Sequence, residues 1–482
     1  MENLVKLIEK LRYLPNETTW VEFKHNNYDP KMIGEDISAL ANSATLHEKR
    51  CAYMLWGIHD TTHEIVGTQY DLQTLKKGGQ EIESWLRNLL SRNVDFEFYS
   101  VPVHDKNVGV LIIYKATNHP VMFEKVDYIR IGSYTKKLNE YLSLQTQLWD
   151  RIRNDRFEEG VARQDLDLSE ALRLIDYSCY FDIMGIPLPS NTNDIAHYML
   201  EEGVLYNQDN DLYSITNLGA ILFAKNLSDF HKVSRKAIRV VQYRGNSRMD
   251  MLKQDINLKG YAACFNDLMK YIEALIPSQE VITGALREKK LAYPIIAVRE
   301  AVGNALIHQD FSITGTGPVV EIFDDRIEIT NSGTPLVDIW RIIDNPPRSR
   351  NEHLASLMRR LRMCEELGTG WDKIVFNCEA FQLPAPKIDL YEDSTRVTLF
   401  AKVPFSGIPQ EEKLWACYLH ACIKFVQGEQ LTNSSLRGRF GVSPSSSASI
   451  SRLIKAAVEK NLIKPLDPGT SQRYMKYIPI WG

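Results

Sequence analysis

Cysteines at metal-ligand spacing are missing from this 482-residue sequence: the seven, at 51, 179, 264, 364, 378, 417 and 422, include no CxxC pair and no clustered His/Cys set. That argues against a zinc site of the usual spacing and against a disulfide framework, and makes reduced thiols the expectation. Long apolar runs are missing too, since none approaches the roughly 20 residues required to cross a bilayer. The amino-terminal stretch MENLVKLIEKLRYLPNETTW lacks the basic-then-apolar order of a secretory leader, so a cytoplasmic protein is expected. A large excess of one charge is absent as well: the formal net charge is -4. A surface for a polyanion would have to be a local patch. There is no internal repeat and no low-complexity tract; SPSSSAS is a loop or helix start with several hydroxyls competing for the cap.

What is present is an ordinary water-soluble composition, 44% hydrophobic and 24% charged, on a chain too long for a single core. Segment 1–150 alternates helical spacing (MIGEDISALANSA) with short apolar runs (CAYMLWGIHD, VGVLIIYKAT) and reads as a mixed α/β domain. Segment 151–235 reads as a mostly helical connecting region. Segment 236–404 has strand-like AIRVVQYRG, PVVEIFDDRIEIT and TRVTLFAKV, the middle one folding over at Asp324 and Asp325, with helices over 256–275 and 292–308. These patterns suit a two-layer α/β sandwich. After the linker PFSGIPQ, segment 411–482 supplies helices and a terminal strand pair, so the fold class expected is α+β multidomain.

REAVGNALIHQDF places Glu300, Asn304 and His308 four residues apart in an apolar helical segment that ends in Gln309 and Asp310. Such spacing puts three polar side chains on one helix face, as a pocket wall requires. Further on, ITNSGTP sets Asn331 and Gly333 at a strand end, and EELGTGWDKI sets Gly368 and Gly370 before a helix, where free backbone N–H groups attract phosphate. The bland alternative is a capped or solvated helix face for Glu300 and Asn304, and a helix-end core residue for His308. The ordered set resembles the GHKL ATP-binding fold of gyrase-type ATPases and histidine kinases, and especially its divergent form in bacterial proteins described as RecG-related or as transcriptional regulators. The resemblance covers about 280–402. It implies ATP with magnesium, Glu300 as general base, Asn304 as magnesium ligand, Asn331 as the adenine-recognising residue, and NPPRSRNEHLA, with Arg350, as the lid. The usual residue at the adenine position is aspartate; Asn331 keeps an acceptor but not the charge. GHKL modules often pair when the lid closes, so a homodimer or larger assembly is expected.

A second polar group begins at NETTWVEFKHNN: Glu17, Glu22 and Lys24, with Asp60 at the end of YMLWGIHD. Three acids brought together repel unless they hold a divalent metal, and a metal beside a lysine suits phosphodiester cleavage; solvated surface carboxylates are the other possibility. ETTWVEFK, GEDISALANSA, YMLWGIHD and VDYIRIGSYTKKLNEY resemble the Schlafen AlbA-type domain over about 12–145. That resemblance implies nucleic-acid binding, and in its nuclease members metal-dependent RNA cleavage, with Glu17, Glu22 and Asp60 holding magnesium or manganese and Lys24 just downstream. The paired glycines common after ALAN are replaced by SATLHEKR, which alters the turn and bears on substrate fit. Arg130, Lys136 and Lys137 are candidate phosphate contacts.

From Glu411 to Gly482 ten Lys/Arg stand against five Asp/Glu, and LTNSSLRGRFGVSPSSSASISRLIKAAVEKNLI resembles a winged helix with 433–440 as first helix and about 446–460 as recognition helix. Two function classes are consistent with these features. One is an ATP-regulated, metal-dependent nuclease acting on a tRNA-like substrate, suited to stress or phage defence. The other is an ATP-responsive DNA-binding transcriptional regulator without cleavage chemistry.

Overall fold

The computed structural model describes residues 2–14, 18–26, 28–49, 51–60, 62–68, 75–77, 79–91, 94–117, 119–154, 156–208, 212–283, 286–364, 370–471 and 474–482. Glu17 and Gly368 lie outside the described residues. The fold is α+β, with several small sheets, and divides into two units, Met1–Leu166 and Asp167–Gly482. Among the described residues no helix is long and apolar enough to cross a membrane.

In the first unit the strand Val21–Lys24 runs parallel to Cys51–Trp56, which pairs antiparallel with Lys106–Tyr114 and through it with Phe96–Val103. The parallel pair requires a crossover, and the helix Pro30–Leu46 provides it. Asp29 starts that helix by accepting the Lys31 N–H at 2.9 Å, with Pro30 at the first position, where a missing N–H costs nothing. Ile33, Ile37, Leu40 and Ala44 of the helix pack on the sheet face carrying Met54, Trp56, Phe96 and Leu111. The opposite face, with Val21, Phe23, Leu55 and Val110, is covered by Leu7, Ile8 and Leu11 of the helix Glu2–Arg12. Alternation along Val21–Lys24 therefore turns Phe23 to one core and Glu22 and Lys24 to the other side.

The second unit is built on a six-stranded sheet in the order Met251–Asn257, Ile238–Tyr243, Val319–Ile322, Arg326–Ser332, Ser394–Phe400, Lys387–Leu390. Only Ile238–Tyr243 and Val319–Ile322 are parallel. Val320, Ile322, Ile327 and Ile329 are buried on one face, and the helices Tyr261–Leu275, Ile295–Ile307 and Gly370–Ala380 make up the apolar layer. On the other face Glu321 sits directly opposite Glu328. Two carboxylates so placed repel. Arg248 bridges them, donating to Glu321 at 2.6 and 2.7 Å and to Glu328 at 2.7 Å, while Arg326 donates to Glu328 at 2.6 Å.

The helix expected over 256–275 begins later, at Tyr261, because Met251–Asn257 is a strand and Asn257 turns the chain by accepting the Lys259 N–H at 3.1 Å. The hairpin at Asp324 and Asp325 forms as expected. The connecting region contains the helices Leu168–Leu174, Tyr177–Met184 and Thr192–Glu201 and also a hairpin, Leu205–Gln208 with Leu212–Thr216. The carboxy-terminal region has helices Gln410–Val426, Asn433–Phe440 and Ser447–Glu459 and the antiparallel pair Ile463–Pro465 with Tyr477–Pro479.

Candidate functional site

The helix Ile295–Ile307 forms one wall of a cavity of about 530 Å³ in the second unit. That is a ligand-sized volume. Glu300, Asn304 and His308 all face it, as the four-residue spacing predicts. Gly370 opens the helix opposite; a Cβ there would stand 3.0 Å from Glu300 Oε2 and 3.3 and 3.4 Å from the Asn304 amide atoms. Glycine thus keeps the helix N-terminus against the carboxylate–amide pair, with room for a phosphate-sized group in the cavity beyond.

Asn331, next to last in the strand Arg326–Ser332, lines the cavity. Its Nδ2 donates to Ser332 O at 2.9 Å and to His308 O at 3.5 Å, which leaves the carbonyl oxygen as the group offered to a ligand. Gly333 follows at φ +95°, a backbone that a side chain rarely adopts, and a Cβ there would collide with the Arg350 guanidinium. Arg350 is fastened over this turn by donating to Thr334 O at 2.9 Å and His308 O at 3.3 Å. His308 has an outer edge exposed at the cavity rim, yet the protein packed around its imidazole, and secondly the Arg350 charge, pull its pKa down to about 4. It is neutral at physiological pH. Gln309 turns inward instead, fully buried and donating to Tyr261 Oη at 2.9 Å.

Sequence reasoning passed over Asn351. Its Nδ2 donates to Ile307 O at 2.7 Å and Gln309 O at 2.8 Å, satisfying carbonyls left over at the end of the pocket helix and tying that end to the segment 345–350, which lines the cavity. Asn immediately before the helix Glu352–Arg360 reads as an ordinary cap, so nothing in the sequence marked the longer reach.

In the first unit Glu22 is buried and doubly paired: Lys24 Nζ donates to Oε1 at 2.8 Å, and Arg130 Nη2 donates to Oε2. Asp36 completes the group, with Lys24 Nζ at 3.0 Å and Thr135 Oγ1 donating at 2.6 Å. Burial alone would lower the Lys24 pKa, but Asp36 and Glu22 outweigh it and hold it above the ordinary lysine value. Two carboxylates and two cations balance, so a metal ion could reach Glu22 only by displacing Lys24 or Arg130. Asp60 is exposed after the turn at Gly57 and takes no part in this network. Among the described residues no group of three or more His, Cys, Asp or Glu is placed to hold a metal. Arg130 departs from the expected surface phosphate contact: it is 4% exposed because its strand, Val126–Ile131, turns it inward to Glu22 and Asp36. Lys136 and Lys137 are exposed. Asp36 was missed, its one signal being a carboxylate inside the apolar repeat of GEDISAL.

Residues 17–139 match the family model described as "Schlafen, AlbA_2", and residues 315–399 match that described as "Putative ATP-dependent DNA helicase recG C-terminal". The second span includes Asn331, Gly333, Arg350 and Gly370 and begins after the helix of Glu300 and Asn304. No curated protein matches the chain. Among solved structures, the crystal structure of the DIP2311 protein from Corynebacterium diphtheriae is similar at 15% identity, covering 99% of this chain and 97% of that one, with a TM-score of 0.43. The two matched domains are those of a nucleic-acid-related, ATP-binding protein.

Proposed function

We propose that this chain is an ATP-responsive switch acting on nucleic acid. The observation that carries the reading is the convergence of Glu300, Asn304, Asn331, Arg350 and Gly370 on one cavity. Bound ATP–magnesium would supply the charge that this donor set is suited to receive. In this reading Asn304 Oδ1 contributes to the metal and Glu300 orients water. Asn331 accepts from the adenine amine, and the N-terminus of the helix Gly370–Ala380, with Gly368 two residues before it in the sequence, receives phosphate. His308, neutral, needs no proton-transfer task and holds the rim with Arg350. The nucleic acid is met by exposed cations: Lys136 and Lys137 in the first unit, and Arg452 and Lys455 on the helix Ser447–Glu459, the recognition helix if this region is a winged helix.

Equilibrium titration with ATP–magnesium checks the pocket. Wild type should bind, Asn304→Ala should bind about tenfold more weakly or worse, and Glu300→Ala should bind but release no phosphate. Equal affinity in wild type and Asn304→Ala would remove this cavity from the reading.

A second reading, metal-dependent cleavage of structured RNA through Glu17, Glu22 and Asp60, draws support from the family match over residues 17–139, which contains all three acids, and requires the metal to displace Lys24 or Arg130 from Glu22. Labelled tRNA, single-stranded DNA and duplex DNA, incubated with magnesium or manganese and with or without ATP, separate the two. Cleavage that Asp60→Ala abolishes supports the nuclease. Binding without cleavage leaves the switch alone.

A further inference from the structure

The two edges of the six-stranded sheet are treated differently. At the Lys387–Leu390 edge the Pro386 carbonyl accepts the Trp415 Nε1 proton at 2.9 Å, so the carboxy-terminal region closes in on that strand's start. The other edge, Met251–Asn257, is bare: six of its seven residues are exposed, on both faces, among them Met251, Leu252 and Ile256 at 54%, 43% and 47%. Met249 and Leu258, flanking it, are also exposed. Unpaired edges template strand pairing, and proteins ordinarily blunt them by covering, bulging or burying an inward charge; this one bulges at its start, where Met251 and not Leu252 is set against Tyr243, and runs regularly from Lys253 to Asn257.

The backbone direction of this edge follows from its neighbours. Arg239 N donates to Pro318 O at 3.0 Å, so Arg239 bonds towards Val319–Ile322 and its neighbour Val240 bonds the other way, to Asp255. Alternation then turns Asp255, and with it Lys253 and Asn257, towards Ile238–Tyr243, and points the N–H and C=O of Gln254 and Ile256 outward, while at Leu252 a bulge interrupts the alternation. The sequence of the strand, MLKQDIN, is self-complementary about Gln254. Laid antiparallel on a second copy with the two-fold axis at Gln254, Leu252 meets Ile256, Lys253 meets Asp255 and Met251 meets Asn257. Gln254 and its symmetry mate fall in a hydrogen-bonded position on the axis, and the Lys253–Asp255 pairs fall in the non-hydrogen-bonded positions on either side, where side chains come closest. Among the described residues neither Lys253 nor Asp255 has an ion-pair partner within its own chain.

We infer that Met251–Asn257 is a homodimer interface, pairing antiparallel with the same strand of a second copy of this chain to join two six-stranded sheets into one. The contact is isologous, so each Lys253 meets the partner copy's Asp255 and the reverse. It is independent of nucleotide, since no residue of this strand lines the ATP-type cavity.

Charge exchange on the full-length protein tests it, read by sedimentation or light-scattering mass across micromolar concentrations without nucleotide. Wild type should be dimeric. Lys253→Glu alone sets Glu against Asp twice, and Asp255→Lys alone sets Lys against Lys twice; each should raise the dimer dissociation constant by about tenfold or more at low salt. Two rescues follow from the symmetry. The double variant Lys253→Glu/Asp255→Lys restores both pairs within a homodimer. An equimolar mixture of the two single variants restores them within a heterodimer, because the introduced glutamate of one copy then faces the introduced lysine of the other, while the unaltered Asp255 faces the unaltered Lys253. Recovery in both shows that the single variants are folded and that the pairing register is the one stated. A monomeric wild type, single variants that dimerise like wild type, or failure of the mixture to recover would each overturn the inference. ATP titration of the same variants separates this outcome from failure of the nucleotide pocket, which none of these substitutions touches.

Discussion

Asp372 lies in the first turn of the helix Gly370–Ala380, beside the cavity residue Trp371, and its Oδ1 has no hydrogen-bond partner among the described residues. Burial first, and the charge of Asp344 second, push its carboxyl up to about 6. An unfolded aspartate titrates near 3.9, so between about 4 and 6 the native protein holds more protons here than the unfolded chain. Stability contributed by this group is therefore complete below pH about 4 and is lost as the pH rises through 6. Asp372→Asn should melt at about the wild-type temperature at pH 4 and higher than wild type at pH 7. Thermal scans at the two values check this, and an identical offset at both would show that the ionised carboxylate is not what costs stability. His308 acts in the opposite direction, its stability lost as pH falls from 6.5 through about 4, but it is common to both proteins and cancels in the comparison.

The pocket helix shows what an element can declare in its sequence and what it cannot. Glu300, Asn304 and His308 were readable because polar side chains at four-residue spacing inside an apolar helix have few other uses, and Gly333 and Gly370 because close backbone approach excludes a Cβ. Asn351 was not readable, since its partners Ile307 O and Gln309 O are more than forty residues away and a backbone carbonyl has no sequence identity. Asp36 reads as one solvated turn of an amphipathic helix until Lys24 and Arg130 arrive from other strands. The strand Met251–Asn257 failed for a different reason: an edge exposed on both faces has no buried side to impose alternation, so its Lys, Gln, Asp and Asn resemble a loop or a helix start. At this scale Asn351 predicts its own test. Removing both donated bonds with Asn351→Ala leaves two carbonyls at the helix end short of a donor and should cost about 2 kcal/mol. Asn351→Asp keeps the size, removes the donors and adds a charge facing carbonyl oxygens, so it should cost at least as much. Urea unfolding midpoints compare them, and a variant as stable as wild type would show that water replaces the amide without loss.

Within the second unit the cavity is gripped from two sides by the carboxy-terminal region. The turn Ile339–Arg341 leads into the lining residues Ile342 and Asn345, and its Trp340 ring meets Trp415 edge-on at 5.3 Å and Tyr418 at 5.5 Å. Tyr418 donates its hydroxyl proton to Trp340 O, Trp481 Nε1 donates to Tyr418 Oη at 3.0 Å, and the Arg341 guanidinium lies 4.4 Å from the Trp481 ring centre. On the far side, the helix that begins at Gly370 reaches Glu379, which pairs with His420 at 2.9 Å, while Arg439 donates to Leu383 O at 2.8 Å. A nucleotide that draws the 345–350 segment and the Gly370 helix end together therefore has to shift an aromatic cluster or a buried carboxylate–imidazole contact belonging to Gln410–Val426 and its neighbours. Packed clusters of this kind move between discrete arrangements more readily than they stretch. ATP–magnesium should accordingly change tryptophan emission in a Trp371→Phe background, which removes the one tryptophan lining the cavity itself. Trp415→Phe should remove most of the change while leaving ATP affinity within about twofold of wild type, less than 0.5 kcal/mol, and Asn304→Ala should abolish it at the same ATP concentration. Emission unchanged at saturating ATP would mean that nucleotide does not move the Trp340–Trp415–Tyr418 cluster, and under the proposed function the Glu379–His420 contact would then be the link to test, with His420→Ala as the variant and nucleic-acid binding with and without ATP as the readout.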